Sequence, residues 1–318
     1  MKIYFNRRPV EGPWGGGSKV LKALIDESIA RGHTVLYEDQ LKFDKSIDVL
    51  FCVDPRPSSQ VTFRDILNHR MINHHALMVQ RIGDLGTHGK PDLFELVSQT
   101  VKYSDIAIFP SVWALDYLNN KILRSFVIPN APHAKFTSLD NKLFPFIEGD
   151  TIKIVSHHWS NNSMKGFDLY ESLDLFIRQK SLINREFTFI GRHPEGTIFD
   201  RQLDPLDIEG LVSEIPKHNV YVTASKLEAG ANHVLEAISL GLPVLYHKDG
   251  GSINEYCLNY GMQYDNFDQL INILKDDALL KSLIDRVNSN RPKRNLNNMA
   301  SEYLELIELE LERKNNGR

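Results

Sequence analysis

The stretch "VYVTASKLEAGANHVLEA", Val220–Ala237, contains a strand pattern, a polar loop and the start of a helix pattern. The apolar run predicts a strand at Val220–Ala224, and apolar residues at helical spacing predict a helix at Asn232–Leu240. The loop between them carries Glu228, and the helix carries Glu236. Because ligands of open parallel sheets bind beyond the carboxyl ends of the strands, we expect this loop to carry chemistry.

The same succession of strand and helix patterns recurs along the 318 residues. It is typical of parallel sheets covered by helices, so the predicted fold class is α/β. We predict strands at Lys2–Phe5, Thr34–Glu38, Val49–Val53, Leu77–Ile82, Ile106–Pro110, Phe126–Ile128, Ile152–Ser156, Phe187–Ile190, Val220–Ala224 and Pro243–His247. Further helices are predicted at Asp92–Lys102, Gly166–Arg178, Phe267–Val287 and Leu296–Arg313. A first helix, with Val20, Leu21, Leu24, Ile25 and Ile29 on one face, is predicted to end at Gly32.

The alternation is interrupted once, around residues 137–151, where "TSLDNKLFPFIEGD" is typical of a linker. We therefore predict two Rossmann-like domains, residues 1–145 and 150–294, that face each other across a cleft. The helix predicted at residues 296–313 has one apolar stripe among many charges, and we expect it to return and pack on the first domain.

Composition is that of a globular protein, with 42% hydrophobic and 25% charged residues. The net charge of −4 argues against a nucleic-acid partner, although "NRPKRN" and Arg7-Arg8 leave a local basic face open. Cys52 and Cys257 are predicted to be buried thiols in a reducing compartment. No apolar run approaches the roughly 18 residues of a membrane span, and the N-terminus lacks a secretion signal. These features predict a cytoplasmic protein.

The glycine cluster in "VEGPWGGGSKVLKAL", Val10–Leu24, fits neither common nucleotide motif. Ser18 precedes Lys19, whereas a triphosphate-binding loop needs the lysine first, and the glycines do not match the dinucleotide spacing. Two interpretations stay open. The amides of Gly15, Gly16 and Gly17 could bind an anion at the start of a helix, or the segment could be a flexible turn.

The two glutamates of the opening stretch suit recognition of hydroxyl groups. Glu228 would accept hydrogen bonds from a sugar, and Glu236 would bind vicinal hydroxyls such as those of a ribose, since a carboxylate accepts two hydrogen bonds at once. The N–H groups of Ala231, Asn232 and His233 would be free at the helix start for phosphate or sugar oxygens. The alternative for Glu236 is a surface charge, but its neighbours are apolar and a buried carboxylate needs a partner.

A second loop, "QRIGDLGTHGKPD" at Gln80–Asp92, also follows a predicted strand. It brings together Arg81, Asp84 and His88, and a metal site would need more ligands than one Asp and one His. Arg81 would pair either with a phosphate or with Asp84.

The chain resembles the nucleotide-sugar glycosyltransferases of the two-Rossmann-domain (GT-B) type, in particular retaining family 4. The segments that carry the resemblance are Glu228-x7-Glu236, "GPWGGGSKVLKAL", "VIPNAPHAKF" with Asn130 and Phe136, "IVSHHWSNNSMKGFDLY" with Lys165, and "LGLPVLYHKDGGSINEY" with Gly241, Pro243, Gly250, Gly251 and Glu255. They occur in the family's order and cover nearly the whole chain.

The resemblance implies transfer of a sugar, with retention, from a nucleotide-diphosphate sugar to an acceptor hydroxyl in glycan, glycolipid or polysaccharide biosynthesis. It implies a UDP- or GDP-sugar as donor, no metal ion, and a carbohydrate or lipid-linked acceptor, which leaves a position at the membrane surface open. Lys165 and Glu228 would be catalytic. The implied donor-binding residues are Gly15, Gly16, Gly17, His158, Lys165, Ala231, Asn232, His233 and Glu236. Arg81, Asp84 and His88 would face the acceptor or sugar.

The chain departs from the family pattern at three places. Ala229 follows the first glutamate instead of a glycine, "SHHW" replaces a Gly-Arg pair before Lys165, and His133 lies near the position of a missing aspartate. His157 or His158 would take the place of the arginine. Two rival functions stay open: glycosylation of a modified nucleic-acid base, and a non-catalytic sugar-nucleotide-binding protein with the same fold.

Overall fold

The computed structural model describes residues 1–9, 16–42, 44, 46–119, 124–138 and 149–317. The chain forms two compact units: unit 1 is Met1–Asn130 with Leu296–Arg318, and unit 2 is Ala131–Asn295. Each unit contains a six-stranded sheet in which every strand pair is parallel. The predicted α/β fold class is confirmed. Of the predicted linker, residues 139–148 lie outside the described residues.

Unit 1 has strand order β2-β1-β3-β4-β5-β6. Its strands are β1 (Lys2–Phe5), β2 (Thr34–Tyr37), β3 (Val49–Cys52), β4 (Leu77–Arg81), β5 (Ile106–Phe109) and β6 (Ser125–Val127). Its first helices are α1 (Gly16–Ala30), α2 (Phe63–Ile72), α3 (Pro91–Thr100) and α4 (Val112–Leu118), with 3-10 turns at Glu38–Lys42 and Val101–Tyr103. The central strands are buried on both faces, which is why they read as continuous apolar runs.

Unit 2 has strand order β12-β11-β10-β7-β8-β9. Its strands are β7 (Ile152–His158), β8 (Arg185–Gly191), β9 (Gln202–Leu203), β10 (Val220–Thr223), β11 (Val244–His247) and β12 (Gly261–Tyr264). Its helices are α5 (Ala134–Thr137), α6 (Phe167–Arg178), α7 (Ile208–Glu214), α8 (Asn232–Ser239), α9 (Ser252–Cys257), α10 (Phe267–Lys275) and α11 (Asp277–Ser289), with 3-10 turns at Ser163–Lys165 and Ile215–Lys217. Alternate residues of β7 enter two apolar clusters, Ile154 with Tyr170 and Val155 with Val234.

The last helix, α12 (Leu296–Asn316), belongs to unit 1 and packs on α1. Its residues Met299, Tyr303 and Ile307 are fully buried. At its far end Glu310 is buried against the guanidinium of Arg124. One apolar stripe therefore completes the core of unit 1, while most of the charges of α12 stay on its other faces.

Two details of the predicted helices are wrong. Ile29 is 58% exposed, and Ser28 is buried in its place with its hydroxyl donating to the carbonyl of Leu24. The helix predicted at Phe267–Val287 is two helices, α10 and α11. Asp276 separates them because its side chain accepts the N–H of Leu279 and so caps a new helix.

Cys52 and Cys257 are both buried free thiols, as predicted. Among the described residues, no helix is both long enough and apolar enough to cross a membrane.

Candidate functional site

The carboxyl ends of β7, β10 and β11 lie near one another in unit 2 because β10 pairs with both other strands. The loop after β7 carries Lys165, and the loop after β10 carries Glu228. The two loops are joined by their backbones, since the N–H of Lys226 donates to the carbonyl of Met164 at 2.9 Å. Sheet topology therefore brings together residues that are 63 positions apart in sequence.

Lys165 and Glu228 form an ion pair. Nζ of Lys165 lies 2.5 Å from Oε1 of Glu228, and each side chain is 13% exposed. Gly166 has a φ of 76°, and a Cβ there would lie 2.5 Å from the Cβ of Ala224. Glycine is required at this position because the lysine loop rests directly on the end of β10.

The loop after β11 holds the backbone of Glu228 in place. The N–H of Glu228 donates to the carbonyl of Gly250 at 3.2 Å, and its carbonyl accepts the N–H of Ser252 at 2.9 Å. Gly251 has a φ of 71°, and a Cβ there would lie 2.6 Å from the carbonyl oxygen of Glu228. Leu227, directly before the glutamate, is a non-glycine residue with a φ of 51°. The site thus contains a local backbone strain that these contacts maintain.

Glu236 and His157 form a second pair. The Nε2–H of His157 donates to Oε2 of Glu236 at 2.9 Å, and both side chains are buried. The hydroxyl of Tyr221 fixes the backbone of His157 by accepting its N–H and donating to its carbonyl, each at 3.1 Å. Nδ1 of His157 is buried and finds no hydrogen-bond partner in the described part of the chain. The alternative that Glu236 is a surface charge is therefore wrong.

His158 lies in the core of unit 2. Its Nε2 is 2.7 Å from the hydroxyl of Tyr170, which also accepts the N–H of Ala224 at 2.8 Å. Burial raises the pKa of Tyr170, so its hydroxyl stays protonated and can donate to His158. The ring of His158 also contacts Phe167 and Phe189. The predicted role of His158 in donor binding stays a prediction.

The start of α8 differs in part from the expectation. Ala231 makes no side-chain cap, and its N–H donates to the hydroxyl of Ser252 at 3.1 Å, so this amide is not free. The N–H groups of Asn232 and His233 lie in the first turn, where a helix provides no acceptors of its own. The predicted role of these two amides in binding an anion stays a prediction.

The imidazole of His233 is electrically neutral. Nε2 lies 3.0 Å from the hydroxyl oxygen of Thr223, and the residue is buried. Burial, and then the nearby ammonium of Lys165, lower the pKa of His233 to about 3. His233 can therefore offer an anion its backbone N–H but no side-chain charge.

The glycine cluster is described only in part. Gly15 lies outside the described residues, while Gly16 and Gly17 are the first two residues of α1. Their place in the first turn is compatible with amide donors for an anion, and that role stays a prediction.

The second predicted loop leaves the end of β4 in unit 1. Arg81 is buried, and its Nη2 donates to Oδ1 of Asn130 at 3.0 Å. Asp84 instead bonds the ammonium of Lys90 at 2.7 Å and the N–H of Gly86 at 2.9 Å. Burial alone would raise the pKa of Asp84, but these two bonds outweigh it and hold the pKa below its usual value. An Arg81–Asp84 pair, one of the two alternatives, is therefore wrong.

His88 lies half-buried in the turn that follows Asp84. The described contacts do not place it with Arg81 or Asp84 in one cluster, so its role stays a prediction.

Sequence reasoning missed several residues that build the site of unit 2. Ser252 and Tyr170 bind the backbones of Ala231 and Ala224 from distant elements, and nothing in their local sequence indicates this. Arg192, after β8, places its guanidinium 4.8 Å from the centre of the Trp159 ring. The one available sequence signal was the Gly250-Gly251 pair named in the resemblance, because Gly251 lies close to the backbone of Glu228.

No protein-family model and no curated protein matches the chain. Solved structures do. HepE of Anabaena, in complex with UDP-glucose, is 13% identical over 96% of this chain and 99% of its own, with a TM-score of 0.69. Sucrose-phosphate synthase from Thermosynechococcus elongatus is 14% identical over 97% and 98%, with a TM-score of 0.67.

WaaG, a glycosyltransferase involved in lipopolysaccharide biosynthesis, is 13% identical over 96% of this chain and 99% of its own, with a TM-score of 0.65. Identities this low identify a fold, not a substrate. The chain has the GT-B fold of these glycosyltransferases.

Proposed function

We propose that this chain transfers a sugar from a nucleotide-diphosphate sugar to an acceptor hydroxyl, with retention of the anomeric configuration. The Lys165–Glu228 pair carries the proposal, since a cation for the diphosphate and a carboxylate for the sugar are held in contact at the carboxyl edge of unit 2. The UDP-glucose complex of HepE, a protein of the same fold, supports the donor class.

Lys165 would bind the diphosphate without leaving Glu228. An ammonium carries three N–H donors, so one can remain on Oε1 of Glu228 while the others reach phosphate oxygens. The amides of Asn232 and His233 at the start of α8 would add two further donors. These donors are preorganised, and such groups typically stabilise a developing anion by several kcal/mol each, about 3 to 4 in measured cases.

The chemical step breaks the bond between the anomeric carbon and the diphosphate oxygen. The electron pair goes to the diphosphate, which Lys165 and the α8 amides stabilise as it leaves. The acceptor oxygen bonds to the anomeric carbon from the same face, and its proton passes to the departing diphosphate oxygen. Glu228 would position the donor sugar through its hydroxyls, since its backbone is fixed by Gly250 and Ser252.

Glu236 would bind the ribose of the donor. A carboxylate has two oxygens with four acceptor sites, so it can hold the Nε2–H of His157 and ribose hydroxyls together. His157 then has a supporting role, because it orients the carboxylate from the strand behind it.

In this proposal protein groups supply the positive charge at the diphosphate, and the reaction is expected to proceed unchanged in the presence of a chelator.

Donor turnover tests the proposal. The purified chain is incubated with UDP-, GDP- and ADP-sugars, with and without carbohydrate and lipid-linked acceptors, and products are measured by mass spectrometry. We expect slow hydrolysis of one donor class and transfer to an acceptor, with the product anomer matching the donor by NMR. Glu236→Ala should raise the KM for the donor, and full activity of that variant would remove the ribose assignment.

Three outcomes would redirect the proposal. Nucleotide binding in calorimetry without turnover of any donor would indicate a non-catalytic binding protein. Salt-dependent DNA binding, with transfer to a modified base, would indicate a nucleic-acid acceptor. Inversion of the anomer would refute retention while leaving sugar transfer in place.

A further inference from the structure

Among the described residues of unit 1, one buried guanidinium has no carboxylate partner. Arg81 is 4% exposed at the end of β4. Its one hydrogen bond within the described ranges joins Nη2 to the neutral amide oxygen of Asn130, and its Nε is buried without a partner. A buried charge that lacks a counterion is costly, so its presence calls for an anion other than the described residues of this unit.

Two acidic residues in loops at this edge of the sheet are already engaged. Asp84 binds Lys90, and Asp54, after β3, is bonded by Arg56. The lowered pKa of Asp84 agrees with a carboxylate whose charge is satisfied by its own contacts. Neither acid is available to neutralise Arg81 without breaking an existing ion pair.

A second guanidinium lies at the same edge of the sheet. Arg7 follows β1, and it donates to the backbone carbonyls of Asn6 and Arg56. Both are neutral acceptors. Because β1, β3 and β4 are successive neighbours in a parallel sheet, their carboxyl ends share one edge, and that edge carries two guanidinium groups held by neutral partners.

Two residues fix the position of the Arg81 head group. Oδ1 of Asn130 holds Nη2, and Gly83 lies directly against the other end of the fork, since a Cβ at Gly83 would come within 2.0 Å of Nη1. A planar fork held in this way is suited to binding an oxyanion through two parallel hydrogen bonds.

We propose that this edge of unit 1 binds an oxyanion of the acceptor, a phosphate or a carboxylate, with Arg81 as its main ligand. Asn130 and Gly83 position the guanidinium, and Arg7 adds positive charge. The assignment to the acceptor rests on the proposed glycosyl transfer, whereas the anion site itself stands on the geometry of Arg81. The acceptor is then an anionic hydroxyl compound.

Inorganic phosphate is the first probe. It is titrated by calorimetry at constant ionic strength into Lys165→Met protein, in which the cation expected to bind the donor phosphates is absent. In that background Arg81→Gln should weaken phosphate binding at least about tenfold, because charge-assisted bonds are lost. Arg64→Gln, which removes an exposed arginine of α2, should leave the affinity unchanged.

Gly83→Ala is the matched variant that keeps every charge. Its methyl group would occupy the place of Nη1 and displace the fork, so phosphate should bind several-fold more weakly although Arg81 is present. If Arg81→Gln does not fold, Gly83→Ala and Arg81→Lys decide the question. Phosphate affinity that is equal in all these variants, or no binding to any of them, would overturn the site.

Parallel titrations with phosphate and acetate decide whether the site prefers a phosphate or a carboxylate, since the preferred group should bind more tightly. Transfer to glycerol 3-phosphate is then compared with transfer to glycerol, and transfer to glycerate is measured likewise. Preference for the anionic acceptor, lost in Arg81→Lys, supports the assignment. Equal rates on charged and neutral acceptors would overturn it. Failure of all donor turnover would instead refute the proposed transfer, while the phosphate titration still decides the anion site.

Discussion

The two units differ in the partners of the buried side chains that lie at the carboxyl ends of their central strands. In unit 2, Lys165 contacts Glu228 and His157 contacts Glu236, so each of these carboxylates has a side-chain hydrogen-bond donor inside the protein. In unit 1, Arg81 is as deeply buried but contacts an uncharged amide. Paired charges keep a site ordered before its ligand arrives, whereas an unpaired cation is stabilised by the ligand itself.

The contrast suggests different tasks for the two sites. A paired lysine can stabilise charge that develops only during a reaction, because its resting state is already satisfied. An unpaired arginine favours a ligand that brings a permanent negative charge. We therefore expect the loss of Lys165 to act mainly on rate and the loss of Arg81 to act mainly on binding.

The largest effect is expected for Lys165→Met. Loss of the ammonium should lower the rate of donor turnover about 100-fold or more, since it removes a preorganised donor to the leaving group. Steady-state kinetics with the best donor measure the change. Lys153→Met, an exposed position on β7, is the control and should keep the wild-type rate. A turnover rate within twofold of wild type for Lys165→Met would contradict the role of the paired lysine.

Gly251→Ala should come next. The added Cβ would lie 2.6 Å from the carbonyl oxygen of Glu228 at a positive φ, so the Glu228 loop must move, and both stability and turnover should fall. Gly196→Ala has a similar φ of 88° but no atom within 4 Å of the new Cβ. Gly196→Ala should lower the free energy of unfolding only by the cost of placing a side chain at a positive φ, about 1 to 2 kcal/mol. Urea unfolding and donor kinetics compare the two, and equal losses would show that support of Glu228 is unimportant.

Glu236→Gln should weaken UDP or GDP binding by about tenfold through loss of charge-assisted bonds to the ribose. Calorimetry with the matching 2′-deoxynucleotide sharpens the test. If Glu236 binds the ribose hydroxyls, Glu236→Gln should weaken binding of the 2′-deoxynucleotide much less than it weakens binding of the ribonucleotide. Equal losses with both nucleotides would mean that Glu236 serves only to hold His157.

The buried His233 predicts how stability depends on pH. Its pKa falls from 6.5 to about 3 on folding, so the unfolded chain binds the proton first as pH decreases. The contribution of His233 to the free energy of unfolding is complete above about pH 7. As the pH falls from roughly 6 to 4, that contribution decreases by up to about 1.4 kcal/mol per pH unit. Urea unfolding at several pH values should show a smaller slope for His233→Gln. The exposed His74→Gln is the control, and an unchanged slope in His233→Gln would refute the assignment.

The smallest effect compares the two cations directly. Arg81→Met should leave the free energy of unfolding unchanged or raise it by about 1 kcal/mol, because it removes an unpaired buried charge. Lys165→Met should lower it by about the same amount, since Glu228 loses its partner. Urea unfolding measures both. Destabilisation by Arg81→Met alone would indicate that Arg81 is a structural residue.

The sequence predicted the α/β alternation and most strands to within two residues, because a strand buried on both faces is a continuous apolar run. It failed where local patterns are ambiguous. The apolar periodicity over Phe267–Val287 hid the break at Asp276, whose capping bond is visible only in three dimensions. The strands β9 and β12 were missed because neither is an apolar run: β9 has only two residues, and β12 contains Gly261 and Gln263.

For the site, Glu228 and Glu236 were indicated by their place after a predicted strand, because loops after strands fall at one edge of a parallel sheet. Lys165 was indicated by the family resemblance. The sequence did not predict which of these side chains contact each other. Only the tertiary structure decided that Lys165 meets Glu228, that His157 meets Glu236, and that Ser252 takes the amide of Ala231. Local sequence determines where polar residues leave the strands, whereas their partners depend on strand order, which joins segments far apart in the chain.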